Sequence, residues 1–147
     1  MFRFIVKHLG FLKQVPLLPH LFDSQLKLWV LLTNRQLLDC FDDIENEVLS
    51  WDGTGLSVHK FGGLQFNCND KEIGHVHSNG ILDIRFSRIT KQQLIAEGKV
   101  TDHHVFGNSG WISFYIRKRE DVAYAVKLLK MSLLKINSKP RPVRFPS

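Results

Sequence analysis

Cysteine is scarce in this chain of 147 residues, which contains only Cys40 and Cys68. Two cysteines so far apart form neither a CxxC metal motif nor a framework of disulfides. A reducing compartment is therefore the expectation, and we predict a cytoplasmic protein. The length is sufficient for one domain with a core of its own.

Long apolar runs are also missing. The most apolar stretch, "LKLWVLLT" at 26–33, is far shorter than the about 20 residues that a membrane span needs. Residues 1–22 mix apolar and basic side chains, and no A-x-A-like cleavage site follows them. We expect this arm to pack on the domain, while weak contact with a membrane surface and a targeting role stay open.

Acidic residues are absent from both ends of the chain. Residues 1–22 and 122–147 contain lysine and arginine but no aspartate or glutamate, and the middle is slightly acidic. The net charge of +6 therefore belongs to the ends. A duplex-binding protein more often spreads basic residues along a presented helix or groove, so we expect no specific nucleic-acid partner.

The common catalytic motifs are absent as well. The sequence contains no GxSxG, no P-loop, no GxGxxG and no HExxH. Residues 107–110, Gly-Asn-Ser-Gly, do not form a phosphate-binding loop, because no helix begins there. Cys68 lies beyond a Gly-Gly turn from His59, so a Cys–His nucleophile is disfavoured.

Periodicity predicts three helices in the main part of the chain. The first begins at Asn34, the second covers 89–98 with a capping box from Thr90 to Gln93 and a C-terminal cap at Gly98, and the third covers 120–136. A shorter helix is predicted to end at Leu32. The apolar face of the first helix contains Leu37, Phe41, Ile44, Val48 and Trp51, and that of the third contains Val122, Val126, Leu129, Leu133 and Ile136.

Six strands are predicted between these helices. They cover "LSVHKF", "LQFNCN", "EIGHVHS", "ILDIRFS", "HHVF" and "GWISFYI", with turns at Gly62-Gly63, at Asn79-Gly80 and at 107–110. Consecutive hairpins imply an antiparallel sheet. We therefore predict an α+β fold of two layers, with about six antiparallel strands and the helices mainly on one face. The predicted organisation is an arm and short helix at 1–33, one domain at 34–137, and a basic Pro-rich tail at 138–147.

The hairpin around Asn79-Gly80 carries two histidines, His75 and His77. A two-residue turn pairs His77 with Leu82 and His75 with Ile84, which places both imidazoles on the apolar face with Phe86. Asp83 and Arg85 then mark the solvated face, and Glu72 projects to that side. A three-residue loop would reverse this relation.

Histidines on an apolar face have three interpretations, which stay open. They can be core residues that bond to backbone carbonyls, they can line a ligand pocket as acid or base, or they can bind a metal. In the metal interpretation His75 and His77 are joined by His104. His103 and His104 alternate in direction, so one of them shares the core face. Trp111 follows a glycine and is predicted either to form a wall of the pocket or to cover the sheet edge.

Two segments resemble the luciferase-domain family, which includes the luciferases of bioluminescent fungi. They are "FGGLQFNCNDKEIGHVHSNGILDIRFSR" and "EGKVTDHHVFGNSGWISFYIRKREDVAYAVKLLKMS". The most specific parts are "EIGHVH", the His103-His104 pair and Gly110-Trp111. The resemblance implies an O₂-dependent oxidoreductase of the monooxygenase type, and it suggests no flavin or nucleotide.

The resemblance also implies a chemistry and a site. Fungal luciferases oxidise a hydroxylated pyrone with O₂ and release CO₂. A histidine base would deprotonate a small enolisable compound, pyrone-like or aromatic, and O₂ would react with the anion without a cofactor. The implied catalytic residues are His75, His77, His103 and His104. The residues expected to contact the ligand are Glu72, Ile84, Phe86 and Trp111. A non-catalytic module that binds a small ligand or a partner, and a metal enzyme, are the alternatives.

Overall fold

The computed structural model describes Gln25 and residues 34–103 and 105–138. The predicted arm, the short helix ending at Leu32 and most of the tail lie outside the described residues. The elements are α1 Arg35–Leu49, β1 Thr54–Val58, β2 Leu64–Cys68, β3 Lys71–Val76, β4 Ile81–Arg85, α2 Arg88–Ala96, β5 Thr101–Asp102, β6 Trp111–Tyr115 and α3 Asp121–Asn137.

The six strands form one antiparallel sheet in the order β1-β2-β3-β4-β6-β5. Helix α3 packs on β3 and β4, and α1 packs on α3 and β1. One face of the sheet is thus covered by α1 and α3, and we call the opposite face the open face. The α+β fold predicted from the sequence is confirmed.

Helix α1 begins where the sequence predicts. Asn34 caps it, with Oδ1 accepting a hydrogen bond of 3.1 Å from the backbone N–H of Leu37. The buried side chains of the helix are Leu37, Cys40, Ile44 and Val48. Phe41 and Trp51, which the periodicity also placed on the apolar face, are only partly buried at its margins.

Helix α3 approaches the sheet closely at Gly74. A Cβ atom at that position would lie 2.9 Å from side-chain carbons of both Ile84 and Leu129, so only glycine leaves room for the helix. The buried residues of α3 are Ala125, Leu128, Leu129, Ser132 and Leu133. The predicted face was therefore correct at Leu129 and Leu133, while Val122, Val126 and Ile136 lie at its partly buried edges.

Two local predictions were wrong. Helix α2 begins at Arg88, and its cap is Ser87, whose Oγ accepts from the backbone N–H of Thr90, so no capping box begins at Thr90. The segment "HHVF" is not a strand among the described residues, because β5 ends at Asp102. The C-terminal cap at Gly98 is confirmed by its positive φ of 75° and its bond to the carbonyl of Ile95. Among the residues placed by the structure, no helix has the length and apolar character needed to cross a membrane.

Candidate functional site

The loop between β3 and β4 determines where the histidines point. The backbone N–H of His77 donates to the carbonyl of Ile81 at 2.8 Å, and the N–H of Gly80 donates to the backbone carbonyl of His77 at 2.9 Å. The loop therefore contains three residues, 78–80, and ends in Gly80 with a positive φ of 86°. This is a common hairpin with a glycine in the left-handed region at its last position. The prediction of a two-residue turn was therefore wrong, because the loop is one residue longer.

The corrected register moves both histidines to the open face. His75 pairs with Asp83, and Val76 pairs with Leu82. Leu82, Ile84 and Phe86 are buried in the core under the helices. The predicted grouping of Ile84 and Phe86 with the histidines was therefore wrong, because a shift of one residue exchanges the two faces of a strand.

A β-bulge brings Glu72 to the same face. Phe66 pairs with Gly74 but Asn67 pairs with Glu72, so Ile73 is an extra residue in β3. Glu72 and His75, three residues apart, consequently meet, and Oε1 of Glu72 lies 2.5 Å from Nδ1 of His75. The prediction that Glu72 projects away from the histidines was wrong.

A row of polar residues crosses the open face from one sheet edge to the other. Each residue pairs with the next across neighbouring strands. The row consists of Ser57, Gln65, His75, Asp83, Ser113 and Thr101. At its centre, Asp83 lies between the core residues Leu82 and Ile84, and Ser113 lies between the core residues Ile112 and Phe114, so both polar side chains point to the open face.

Asp83 lies at the centre of this row and is completely buried. Its Oδ2 is 3.2 Å from Nε2 of His77, 3.4 Å from Nε2 of His103 and 3.7 Å from Nε2 of His75. Its Oδ1 accepts a hydrogen bond of 2.5 Å from the hydroxyl of Ser113. These three histidines, together with His59, whose ring stacks on that of His75, are called the histidine cluster.

Asp83 stays ionised in spite of its burial. Burial is the largest influence on its pKa and raises it, but the hydrogen bonds from His77 and Ser113 and the fields of His103 and His77 together outweigh burial. The pKa of Asp83 is therefore held below its usual value. A buried carboxylate with several N–H and O–H partners fits the general rule that buried charges are paired.

His103 has a defined tautomer. Its Nδ1 accepts hydrogen bonds from the backbone N–H groups of Val105 and Phe106, at 3.1 and 3.2 Å. The ring proton must therefore be on Nε2, the nitrogen that faces Asp83. Lys91 anchors the loop that follows, since its buried ammonium donates to the carbonyls of Gly107 and Ser109. His104 lies outside the described residues, and its predicted role stays a prediction.

His59 belongs to the cluster but was not predicted as a site residue. Its ring stacks on that of His75, with centroids 3.8 Å apart and planes within 9°. Its Nδ1 is buried without a hydrogen-bond partner among the described residues. Burial, followed by the positive field of His75, lowers the pKa of His59 to about 4. The available signal was its position two residues after Ser57 in "LSVHKF", which gives both side chains the same direction.

Aromatic side chains surround the cluster. Trp111 lies 5.5 Å from the ring of His75 and 6.0 Å from that of His103, centroid to centroid. Phe106 lies beside His103, and Phe61 beside His59, and both phenylalanines are about half exposed. The sequence-based placement of Trp111 next to the histidines is thus consistent with the geometry.

A concavity formed by the described residues lies away from the histidine cluster. It is an open groove of about 410 Å³ between α1 and α3, and it contains none of the predicted site residues. Its lining residues are Glu47, Trp51, Ala123, Val126, Lys127, Lys130, Met131 and Leu134. A pocket around the histidines therefore stays a prediction, whereas the cluster itself is a feature of the structure.

Two sets of side chains in the cluster bring three potential ligand atoms close enough for a single metal ion. One set is His75, His77 and Asp83, and the other is His59, Glu72 and His75. In each set the ligand atoms all lie within 4.8 Å of one another. The chemistry on offer is thus proton transfer by imidazole, or metal ligation by imidazole and carboxylate.

Comparison with known proteins bears on the same residues. No curated protein and no solved structure shows a significant match to the chain. A family model described as "Luciferase domain" matches residues 70–132. This segment contains Glu72, Asp83, Trp111 and three histidines of the cluster. The resemblance inferred from the sequence is thus confirmed, and the segment that carries most of the histidine cluster is similar to the luciferase-domain family.

Proposed function

We propose that the open face binds a small enolisable compound, pyrone-like or aromatic, and that His77 removes its proton so that O₂ can react with the resulting anion. The observation that carries this proposal is the pairing of His77 with the buried, ionised Asp83 at 3.2 Å. The family similarity supports it, because it covers the same residues.

His77 is better suited to act as the base than His75. Since Asp83 is ionised, Nε2 of His77 carries the proton and donates it, which leaves a lone pair on Nδ1. That nitrogen has no hydrogen-bond partner among the described residues, and the side chain of His77 is 26% exposed, against 6% for His75. A carboxylate behind the ring also stabilises the imidazolium that forms when the base takes a proton.

The oxidation then balances without an external reductant. The substrate anion supplies both electrons, a bond forms between its carbon and one oxygen atom, and the other oxygen carries the charge as a peroxide. The imidazolium of His77 returns its proton to that oxygen, so substrate and O₂ combine into a hydroperoxide. The rings of Trp111 and Phe106, close to His103, offer apolar surface that would limit the access of water.

The test is O₂ uptake by chelator-treated protein in the presence of a panel of hydroxypyrones and enolisable aromatic compounds. His77→Gln should lower the rate by about 10²-fold or more, the usual contribution of a positioned base. Glu120→Gln, an exposed change in the turn before α3, is the matched control and should have no effect. Unchanged uptake in His77→Gln contradicts the proposal. Compound binding without uptake by the wild type favours a non-catalytic binding module instead.

A further inference from the structure

We infer that the histidine cluster binds one divalent first-row transition-metal ion through Nε2 of His75, Nε2 of His77 and Oδ2 of Asp83. This inference concerns binding and does not depend on the proposed reaction. Asp83 takes the third position, for which the sequence had suggested His104. His75 lies in β3 and His77 directly follows the end of that strand, and Asp83 is the cross-strand partner of His75 on β4.

The spacing of the three atoms suits a metal ion. Oδ2 of Asp83 lies 3.2 Å from Nε2 of His77 and 3.7 Å from Nε2 of His75. Ligand atoms at the usual metal distances of about 2.0–2.2 Å are separated from one another by about 3.3 Å in a tetrahedral site. The ligand atoms of this set all lie within 4.8 Å of one another, so side-chain movements can bring all three to one ion.

The tautomer of His75 already suits metal ligation. Its Nδ1 faces Oε1 of Glu72 at 2.5 Å, so the N–H is on Nδ1 and the lone pair is on Nε2. A carboxylate that accepts the outer N–H of a ligating histidine is a recurrent feature of metal sites, since it fixes the tautomer and the ring orientation. Glu72 is thus a positioning residue for the proposed metal, brought to the open face by the bulge at Ile73.

His103 is excluded as a ligand by its own hydrogen bonds. Its Nδ1 is the acceptor for the N–H groups of Val105 and Phe106, which keeps the proton on Nε2. Because its Nδ1 is occupied as an acceptor, the proton of His103 cannot move there, as it can in His77, and Nε2 has no lone pair for a metal although it lies 3.4 Å from Asp83. The site therefore has two imidazoles rather than three.

Two imidazoles and one carboxylate favour a particular class of ion. Imidazole nitrogen suits Fe²⁺, Co²⁺ and Zn²⁺, whereas Ca²⁺ and Mg²⁺ prefer sites made only of oxygen. Three protein ligands also leave coordination positions open for water or another small molecule.

Metal binding and the proposed base exclude each other. Ligation through Nε2 of His77 removes the proton that this nitrogen otherwise donates in its hydrogen bond to Asp83, and the neutral ring then carries its proton on Nδ1. The lone pair that would deprotonate a substrate is lost. Loading with metal should therefore suppress O₂ uptake, and a chelator should restore it.

The test is titration of full-length protein without a His-tag, using Co²⁺ followed by absorption and Zn²⁺ followed by calorimetry. One ion per chain is expected. Glu72→Ala should weaken binding by about 10–100-fold, the usual effect of losing such a carboxylate. His77→Gln and Asp83→Asn should weaken it at least as much. His103→Asn is the matched control and should retain binding, because its amide oxygen can accept the same two backbone N–H groups. Absence of binding to the wild type, or loss in His103→Asn alone, overturns the inference.

A measurement on the unaltered protein covers the case in which these variants fail to fold. X-ray absorption of the Zn²⁺-loaded wild type should give two imidazole ligands at about 2.0–2.1 Å. Three imidazoles, or none, would overturn the assignment. If metal instead increases O₂ uptake, the metal site stands and the base role of His77 is wrong, so the two proposals fail separately.

Discussion

At the scale of the residue, His59 is the least satisfied member of the histidine cluster. It is only 5% exposed, its Nδ1 has no partner among the described residues, and its ring stacks on His75 at 3.8 Å. A charged imidazole in that position would be stripped of water and would face a second imidazole. The pKa of about 4 expresses the resulting cost of protonation.

The stability of the protein should consequently fall in mild acid. Between pH 6.5, the ordinary pKa of histidine, and the pKa of His59 at about 4, the unfolded chain binds a proton that the folded chain does not. The free energy of unfolding therefore decreases as the pH is lowered through this range, by roughly 3 kcal/mol in total, and His59 contributes no further loss below it. Urea unfolding at several pH values measures this.

His59→Phe is the control for this prediction. Phenylalanine retains a flat ring for stacking and cannot be protonated. The variant should be at least as stable as the wild type at pH 7, and the slope between pH 6.5 and 4 should be smaller by the His59 contribution. An identical slope in both proteins would assign the acid sensitivity to other groups.

Single residues in a loop and in a strand also explain why the site could be predicted only in part from the sequence. The sequence indicated His75, His77, His103 and Trp111, but it assigned Asp83 to a solvated face. The loop after His77 is one residue longer than predicted, so every side chain of the hairpin points to the face opposite to the predicted one. The bulged residue Ile73 likewise changes the predicted direction of Glu72. Loop length and bulges depend on tertiary contacts, and a local sequence pattern does not encode these contacts. An example is the hydrogen bond from the N–H of Ile116 to the carbonyl of Gly80.

At the scale of the element, helix α3 holds the two layers together. Leu129 is completely buried against Gly74 and the sheet, whereas Leu134 on the same helix is 60% exposed. Leu129→Ala should lower the free energy of unfolding by about 2–5 kcal/mol, because it removes buried methyl groups and leaves a cavity. Leu134→Ala makes the same chemical change and should cost less than about 0.5 kcal/mol. Chemical denaturation compares the two, and equal effects would contradict the packing of α3.

The junction between β4 and β6 gives a second prediction at this scale. A Cβ atom at Gly110 would lie 1.9 Å from the carbonyl oxygen of Phe86, and the N–H of Phe86 bonds to the carbonyl of Gly110 at 2.9 Å. Gly110→Ala should therefore force the strands apart and destabilise the fold by about 1–3 kcal/mol. It should also displace Trp111, which would appear as a change in tryptophan fluorescence.

Gly107→Ala provides the matched control in the same loop. Its Cβ would lie 3.8 Å from the carbonyl of His103, an ordinary contact. The substitution retains the carbonyl that Lys91 binds. Nearly unchanged stability is expected, and a loss equal to that of Gly110→Ala would show that the loop tolerates no side chain at either position.

Helices and strands differed in how well their patterns could be interpreted. Regular 3.6-residue spacing located α1 and α3, and alternation located β4 and β6. The segment after Asp102 also alternates, but it is held as a loop by the Nδ1 of His103 and by the ammonium of Lys91. Such side-chain bonds to the backbone compete with strand pairing and depend on residues distant in sequence.

At the scale of the whole molecule, the helices cover one face of the sheet and the histidine cluster occupies the other. Apolar residues of β3, β4 and β6 face the helices, and their polar neighbours form the row through Asp83. The fold thus separates the layer that stabilises the chain from the face that carries reactive groups. Substitutions in the cluster can therefore be tested for chemistry with the helical layer intact.

The C-terminal tail should add little to this architecture. Helix α3 ends at Asn137, and Leu133 is its last buried residue, while the sequence beyond is basic, Pro-rich and without apolar periodicity. Deleting residues 139–147 should therefore change the free energy of unfolding by less than about 1 kcal/mol, as expected for a segment that buries little apolar surface. A chain shortened further, to end at Leu128, loses both Leu129 and Leu133 from the core and should not fold. Thermal and urea unfolding of the two truncated chains distinguish these cases. A large loss of stability in the first would mean that the tail packs on the domain, so that the two described layers do not contain the whole core.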